Sequence, residues 1–221
     1  MKAGTVSPGP LLPRLSALSL AAILVGCGSV GGTVTTAHSG ESLYNNNCAP
    51  CHGVDGAGSD LAKAPVIAGL PGWYVKNQLD GFREGLRGKH YDDVQGMRMR
   101  PMAMTLAPDE VAPVVEHVAS LAAAPPQASL QGGDPAKGAT YYATCQACHG
   151  ADGKGNEALA APPLTATNDW YLLGQLKHFK AGVRGSNPKD SRGAQMIGMA
   201  ATLPDEQAMK DVLAHVSTLP K

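Results

Sequence analysis

One pattern constrains this chain more than any other. Cys-x-x-Cys-His occurs twice, as Cys48-Ala49-Pro50-Cys51-His52 and as Cys145-Gln146-Ala147-Cys148-His149. The copies lie 97 positions apart, and that offset carries over much more than cysteines. Gly53, Asp55, Gly56 and Gly58 map onto Gly150, Asp152, Gly153 and Gly155, and Pro65 maps onto Pro162. Trp73-Tyr74 and Gln78-Leu79 map onto Trp170-Tyr171 and Gln175-Leu176, while Phe82, Gly85, Arg87 and Gly88 map onto Phe179, Gly182, Arg184 and Gly185. Met99, Met102 and Leu106 map onto Met196, Met199 and Leu203. At this offset the match runs ungapped from Tyr44 to Leu106. It then drifts by a residue or two, yet both halves close on His-Val-x-x-Leu, at His117 and His215. A match of this length is an internal duplication.

The chemistry follows from the spacing. Cysteines three apart on a helical turn present both thiols on one face, where they can form thioethers with the two vinyl groups of one haem. The histidine next in line can offer a ring nitrogen to the iron, which is the signature of c-type haem attachment. A thioredoxin-like pair would need a βαβ setting that is not evident. A four-cysteine zinc site would need loops of about 15–20 residues between pairs, but Cys51 and Cys145 are 94 apart. Simple disulfides suit an oxidising compartment but leave His52 and His149 unexplained. Two covalently bound haem c groups are therefore expected, held by Cys48 and Cys51 and by Cys145 and Cys148, with His52 and His149 on iron. Composition agrees: only 5% of residues are aromatic, so side chains alone furnish a thin core. A bound haem is both core and staple for a domain too small to be stable unaided.

The partner opposite each histidine sets the chemistry of the iron. Met99 follows Cys51 by 48 residues and Met196 follows Cys148 by the same 48, while Met102 and Met199 form a second matched pair. Met97 and Met104 face alanines, Ala194 and Ala201, at the same offset. Spacing alone does not separate the two matched pairs; Met99 and Met196 are taken as the ligands. The remaining histidines, His117 and His215 among them, read as surface or packing residues.

The ends and the middle of the chain have other jobs. Residues 1–26 read as an export signal of the lipoprotein type, with Lys2 and Arg14 before an apolar run from Leu15 to Val25. Leu24-Val25-Gly26-Cys27 resembles a lipobox, which would make Cys27 the lipidated first residue of the mature protein. Residues 27–38 suit a flexible tether. Two domains are expected, 39–124 and 134–221, joined by a Pro/Gly-containing linker at 125–133. Asp134-Pro135 makes a good helix start. Helices are expected ahead of each Cys motif, over roughly Trp73 to Gly85, and from Pro108-Asp109-Glu110 onward. In the last of these Val111, Val114, Val115, Val118 and Leu121 keep helical spacing, and Pro113 is expected to cost a hydrogen bond. No run alternates in the manner of a strand, so the fold class is all-α. Eighteen basic residues balance eighteen acidic ones, which excludes a polybasic nucleic-acid binder and predicts weak long-range steering.

With Cys-x-x-Cys-His-Gly, the downstream prolines, Tyr74 to Leu79 with Tyr171 to Leu176, and the Met-x-x-Met-Ala-x-x-Leu stretches in place, the chain resembles the dihaem cytochrome c4 group of bacterial electron carriers over residues 40–220. The resemblance implies two tandem cytochrome c domains and an axial methionine seven residues before the leucine that opens the last helix, hence Met99 and Met196. It also implies that carbonyls near Pro65 and Pro162 receive a hydrogen bond from the ligating histidines. The second copy departs from it with Leu164-Thr165-Ala166-Thr167 where Gly-Gln is common. A six-coordinate His/Met iron has no open seat for substrate, so the expected job is single-electron transfer in the periplasm rather than catalysis. The expected partners are redox proteins, such as a quinol-oxidising complex and a terminal oxidase or reductase, with membrane attachment through Cys27. The alternatives are a haem-bearing subunit of a dehydrogenase or oxidase complex, and a dihaem peroxidase or thiosulfate-oxidising enzyme.

Overall fold

Helices carry both halves, and short side-chain caps explain where most of them begin. The computed structural model describes residues 38–122 and 126–220, with Gly9. The export signal, nearly all of the tether and Cys27 lie outside the described residues. In the first half the order is α1 (Gly40–Asn47), α2 (Ala49–His52), α3 (Gly72–Arg83), α4 (Val94–Thr105) and α5 (Val111–Ser120). The second half has α6 (Pro135–His149), α7 (Asp169–Lys180), α8 (Ser191–Ala201) and α9 (Glu206–Thr218). Among the described residues the extended pairing is limited to two isolated bridges, Ser59 with Ala64 and Asn156 with Ala161. The all-α expectation holds.

Asp134 caps α6 as its sequence suggests, its carboxylate accepting from the Ala136 and Lys137 N–H groups at 2.9 and 3.3 Å. Pro113 behaves differently from expectation. It is the third residue of α5, in the first turn, where the missing N–H would have had no helical acceptor anyway. The proline that does remove a helical bond is Pro101, inside α4. The helices α4 and α8 are additions to the sequence reading, which assigned no element there. Their starts were nevertheless written in the chain: Asp93 and Asp190 cap them through Gly96 N–H and Gly193 N–H at 3.0 and 2.8 Å.

The first and last helices of each half pack together, α1 on α5 and α6 on α9. Glycine permits the close approach. A Cβ on Gly40 would stand 1.9 Å from the Pro113 carbonyl oxygen, and one on Gly138 would stand 1.9 Å from that of Asp211. Beside these crossings lie the two buried tyrosines, Tyr44 against the His117 ring and Tyr142 against the His215 ring. Their hydroxyls donate to the Gly53 and Gly150 carbonyls at 2.6 and 2.7 Å, and burial pushes both pKa values up to about 12. This corrects the register of the duplication. Tyr44 corresponds to Tyr142, not to Tyr141, because α6 runs unbroken into its Cys motif whereas α1 stops at Cys48 and the chain restarts as α2. The one-residue difference before the haem motif matches the drift after Leu106, so each tyrosine keeps its histidine.

Residues 37–221 form one compact unit, and Asp169 secures the segment between the halves. The Asp169 carboxylate, at the first turn of α7, accepts from Ser129 N–H, Ser129 Oγ and Leu130 N–H at 2.6, 2.7 and 2.8 Å. Burial alone would raise its pKa, but the Leu130, Ser129 and Trp170 donors outweigh burial and hold it below the ordinary carboxylate value. A depressed folded pKa stabilises above the unfolded value and loses that contribution as pH falls through the folded one. We therefore expect Asp169→Ala to cost about 2–3 kcal/mol at neutral pH. In urea unfolding followed against pH, the gap between variant and parent should close in acid, below the usual carboxylate range.

Candidate functional site

Each Cys motif ends in a histidine locked by a loop that folds back over it. His52 and His149 are only 5% and 7% exposed. Their Nδ1 atoms lie 2.9 and 2.8 Å from the Pro65 and Pro162 carbonyl oxygens. A carbonyl can only accept, so Nδ1 carries the proton and Nε2 keeps its lone pair for a metal. Burial lowers both imidazole pKa values against the opposing pull of the proline carbonyls, which keeps the rings neutral as ligation requires. The loop closes because Gly58 and Gly155 adopt φ of +80° and +79°. Their N–H groups reach the His52 and His149 carbonyls at 2.8 Å. A Cβ there would stand 2.7 Å from the Ala64 oxygen in one copy and 2.5 Å from that of Ala161 in the other.

The four thiols, of Cys48, Cys51, Cys145 and Cys148, are free, as thioether formation needs. Met99 and Met196 are half-buried on α4 and α8, while Met102 and Met199 are exposed. A side chain missed in the sequence reading secures each methionine helix. Arg83 donates to the Ala103 carbonyl at 2.9 Å and to that of Leu106, and its counterpart Lys180 donates to the carbonyls of Leu203 and Pro204. Arg83 thus takes carbonyls at the end of α4, and Lys180 takes carbonyls in the turn just after α8.

Where the halves meet, their corresponding residues exchange contacts. Arg87 donates to Gln78 of its own half at 2.7 Å and across the seam to Gln175 at 3.2 Å and Tyr171 at 3.3 Å. Arg184 donates to Gln175 at 2.7 Å, across the seam to Gln78 at 3.0 Å, and to the Tyr74 hydroxyl. Arg87 is buried and Arg184 half-buried, both donate to neutral acceptors, and among the described residues neither forms an ion pair. Burial and then the charge of Arg87 hold the Arg184 pKa below its usual value. Arg87 Nε is buried without a hydrogen-bond partner.

A second set of contacts breaks this symmetry. Asn168 Oδ1 accepts from Val66 N–H at 2.7 Å, and Thr167 Oγ1 donates to the Val66 carbonyl at 3.1 Å. The unusual Leu164–Thr167 stretch thus supplies a residue that holds the backbone beside Pro65. At the matching position the second half has Pro163, which has no N–H to offer.

A cytochrome c family model matches residues 37–122 and again residues 135–220. The chain belongs to the cytochrome c family. This cytochrome is 31% identical over 180 residues to a thiosulfate dehydrogenase electron acceptor of Stutzerimonas stutzeri, covering 76% of this chain and 78% of the relative. It is 30% identical over 179 residues to the cytochrome c4 of Thiocapsa roseopersicina, covering 76% and 85%. Among solved structures, the thiosulfate dehydrogenase of Marichromatium purpuratum superposes with a TM-score of 0.66 at 30% identity, covering 82% of this chain and 40% of that one. The cytochrome is a cytochrome c4-like electron carrier with two covalently attached haem c groups. The residues present fit that cofactor: two paired thiols and a neutral, oriented imidazole in each half, and a cationic seam with an orphaned N–H that suits a group bearing carboxylates.

His178 makes the seam sensitive to pH. Its Nδ1 is buried without a hydrogen bond and lies 3.7 Å from Asp93 Oδ1. Burial lowers the imidazole pKa; Asp93 and Asp92 oppose this, and Arg87 and Arg184 add to it, leaving a net depression. As pH falls through the ordinary imidazole range, the unfolded chain gains a proton that folded His178 resists, so stability drops. The duplication places Gly81 at the matching position, so His178→Gly is tolerable to the fold. We expect that variant to lose less stability than the parent between neutral pH and about pH 5, measured by thermal unfolding.

Proposed function

We propose that this cytochrome shuttles single electrons between redox partner proteins in the periplasm through two His/Met-ligated sites, and that it is not itself an enzyme. In this reading the domains span 39–124 and 134–221 with a linker at 125–133. Cys48 and Cys51, and Cys145 and Cys148, hold the two cofactors, with His52 and Met99 on one iron and His149 and Met196 on the other. The observation that carries the reading is the pair of buried histidines whose Nδ1 atoms are spent on proline carbonyls, in two halves that each bring a half-buried methionine on the helix before the last.

Bound there, haem supplies a one-electron couple with no open coordination position. The chain does the rest. The proline carbonyls fix each imidazole tautomer and raise its basicity as a ligand. Arg83 and Lys180 steady the helices that carry Met99 and Met196. Arg87 and Arg184 supply positive charge for carboxylates of the cofactor, and their shared glutamines join the halves into one path. The export signal and lipobox-like Leu24–Cys27 support secretion and a lipid anchor on Cys27. The relative named as an electron acceptor of thiosulfate dehydrogenase supports a dehydrogenase as one kind of electron donor.

Two measurements test this. Met99→Ala and Met196→Ala should each remove half of the methionine-to-iron absorption band and open one site to carbon monoxide, whereas Met102→Ala and Met199→Ala should leave the band intact. The reduced parent should not bind carbon monoxide; binding without denaturation would favour an enzyme. Cys27→Ser should move the exported protein from the membrane fraction to the soluble one, with loss of the acyl mass from its N-terminus.

A further inference from the structure

The two methionine helices differ on the faces they turn outward. At about 100° per residue, Val94, Met97, Pro101 and Met104 form one stripe along α4, and Met99 falls on the opposite side with buried Gly96 and Ala103. The stripe is open to solvent: Val94 is 46% exposed, Met97 44% and Met104 52%. Arg98 and Arg100 flank it, one on each side; Arg100 is half-buried, with its Nε buried and without a hydrogen-bond partner. Arg98 is exposed and makes one long contact, to the Ala62 carbonyl at 3.4 Å. Asp93, at the head of the helix, is buried and engaged with Gly88 and Gly96 N–H groups.

In α8 the matching stripe reads Ser191, Ala194, Gly198 and Ala201, and Gln195 and Ile197 stand where the arginines are. The fold therefore has no need of large apolar or cationic side chains on this face. Placing three apolar side chains and a proline in water, between the exposed Arg98 and the half-buried Arg100, serves something outside the chain. Methionine and arginine are among the residue types enriched at protein interfaces, and flexible thioethers adapt to more than one facing surface.

Building on the carrier reading, we infer that the outer face of α4 is the docking surface for a redox protein whose contact face is an apolar centre ringed by carboxylates. Net charge near zero gives the molecule little long-range steering, so the two arginines act locally, setting orientation and encounter rate. The first half is then the end that engages the acidic partner. The second half lacks both the stripe and its flanking charge.

The test uses flavodoxin, a small acidic redox protein, as the probe, and follows electron exchange with the full-length dihaem cytochrome by stopped flow. Arg98→Gln/Arg100→Gln should slow the second-order rate about fivefold at low salt and flatten its salt dependence. Met97→Ser/Met104→Ser should slow it severalfold at every salt concentration. Gln195→Ala/Ile197→Ala, on the opposite half, should leave it unchanged. Redox titration and electron exchange with a small uncharged mediator accompany each variant. If the stripe variants exchange with flavodoxin at the parent rate while both haems still titrate, the docking surface is refuted and the carrier reading stands. If the parent itself shows no reversible one-electron couples, the carrier reading fails.

Discussion

A hydrogen bond from each histidine Nδ1 to a proline carbonyl thirteen residues further along the chain is the interaction on which both halves depend. It selects the tautomer that leaves Nε2 able to ligate. It also dictates the intervening loop, because the carbonyl reaches the ring only if the backbone doubles back, and it doubles back only where Gly58 and Gly155 adopt positive φ with no room for a Cβ. The buried tyrosines close the same structure from the other side by taking the carbonyls of Gly53 and Gly150. Helix, loop and ring are thus fixed together before any packing from the rest of the domain is counted. That matters in a chain so poor in aromatic residues.

Duplication alone would give two equal sites. The seam keeps that equality in Arg87, Arg184, Gln78 and Gln175, where each arginine donates to one glutamine from each half. Elsewhere the copies have diverged in ways that bear on one another. The second half gave up a matching backbone N–H at Pro163 and gained Asn168 and Thr167, whose side chains hold Val66 in the first half. His178 crosses to Asp93, which caps the helix that carries Met99, and the first half has only Gly81 to return. In each case a residue of the second half acts on the backbone framework of the first-half site. Among the described residues, the first half reaches the second through the shared arginine–glutamine cluster and through Lys63, which lies over the Trp170 ring. The first site is therefore braced by both halves, and the second mainly by its own.

What the sequence made legible was what it repeats or spells locally. The Cys-x-x-Cys-His pairs, the Asp134-Pro135 helix start and the amphipathic α5 have local signatures, while the proline partners of the histidines followed only from the family resemblance. Of the methionine helices, α4 escaped because it carries apolar and polar groups around its whole circumference and has Pro101 in its middle, so no helical period emerges; α8 by contrast is amphipathic, and its period was legible. Their capping aspartates, Asp93 and Asp190, were the usable signal. The Tyr44 register slipped because Tyr141 and Tyr142 are adjacent and sequence comparison at a fixed offset favours the wrong one; only burial against His215 separates them. Asp169 and the Arg83/Lys180 pair were invisible for a different reason. Their partners are backbone groups distant in sequence, and no spacing rule reports a carbonyl.

The divergence of the two outer helix faces belongs with this asymmetry. A half braced from both sides can present a sticky exterior, because its geometry does not rest on the surface residues that a partner will press against. Val94, Met97 and Met104 lie away from the buried side of α4, and the anchors of that helix, Asp93 at its start and Arg83 at its end, are on the opposite face. Contact forces on the stripe are then taken up by hydrogen bonds that the partner does not touch. On α8 the small residues leave nothing to grip. Bracing on one side and adhesion on the other therefore fall on the same half, as a carrier with a distinct front and back requires.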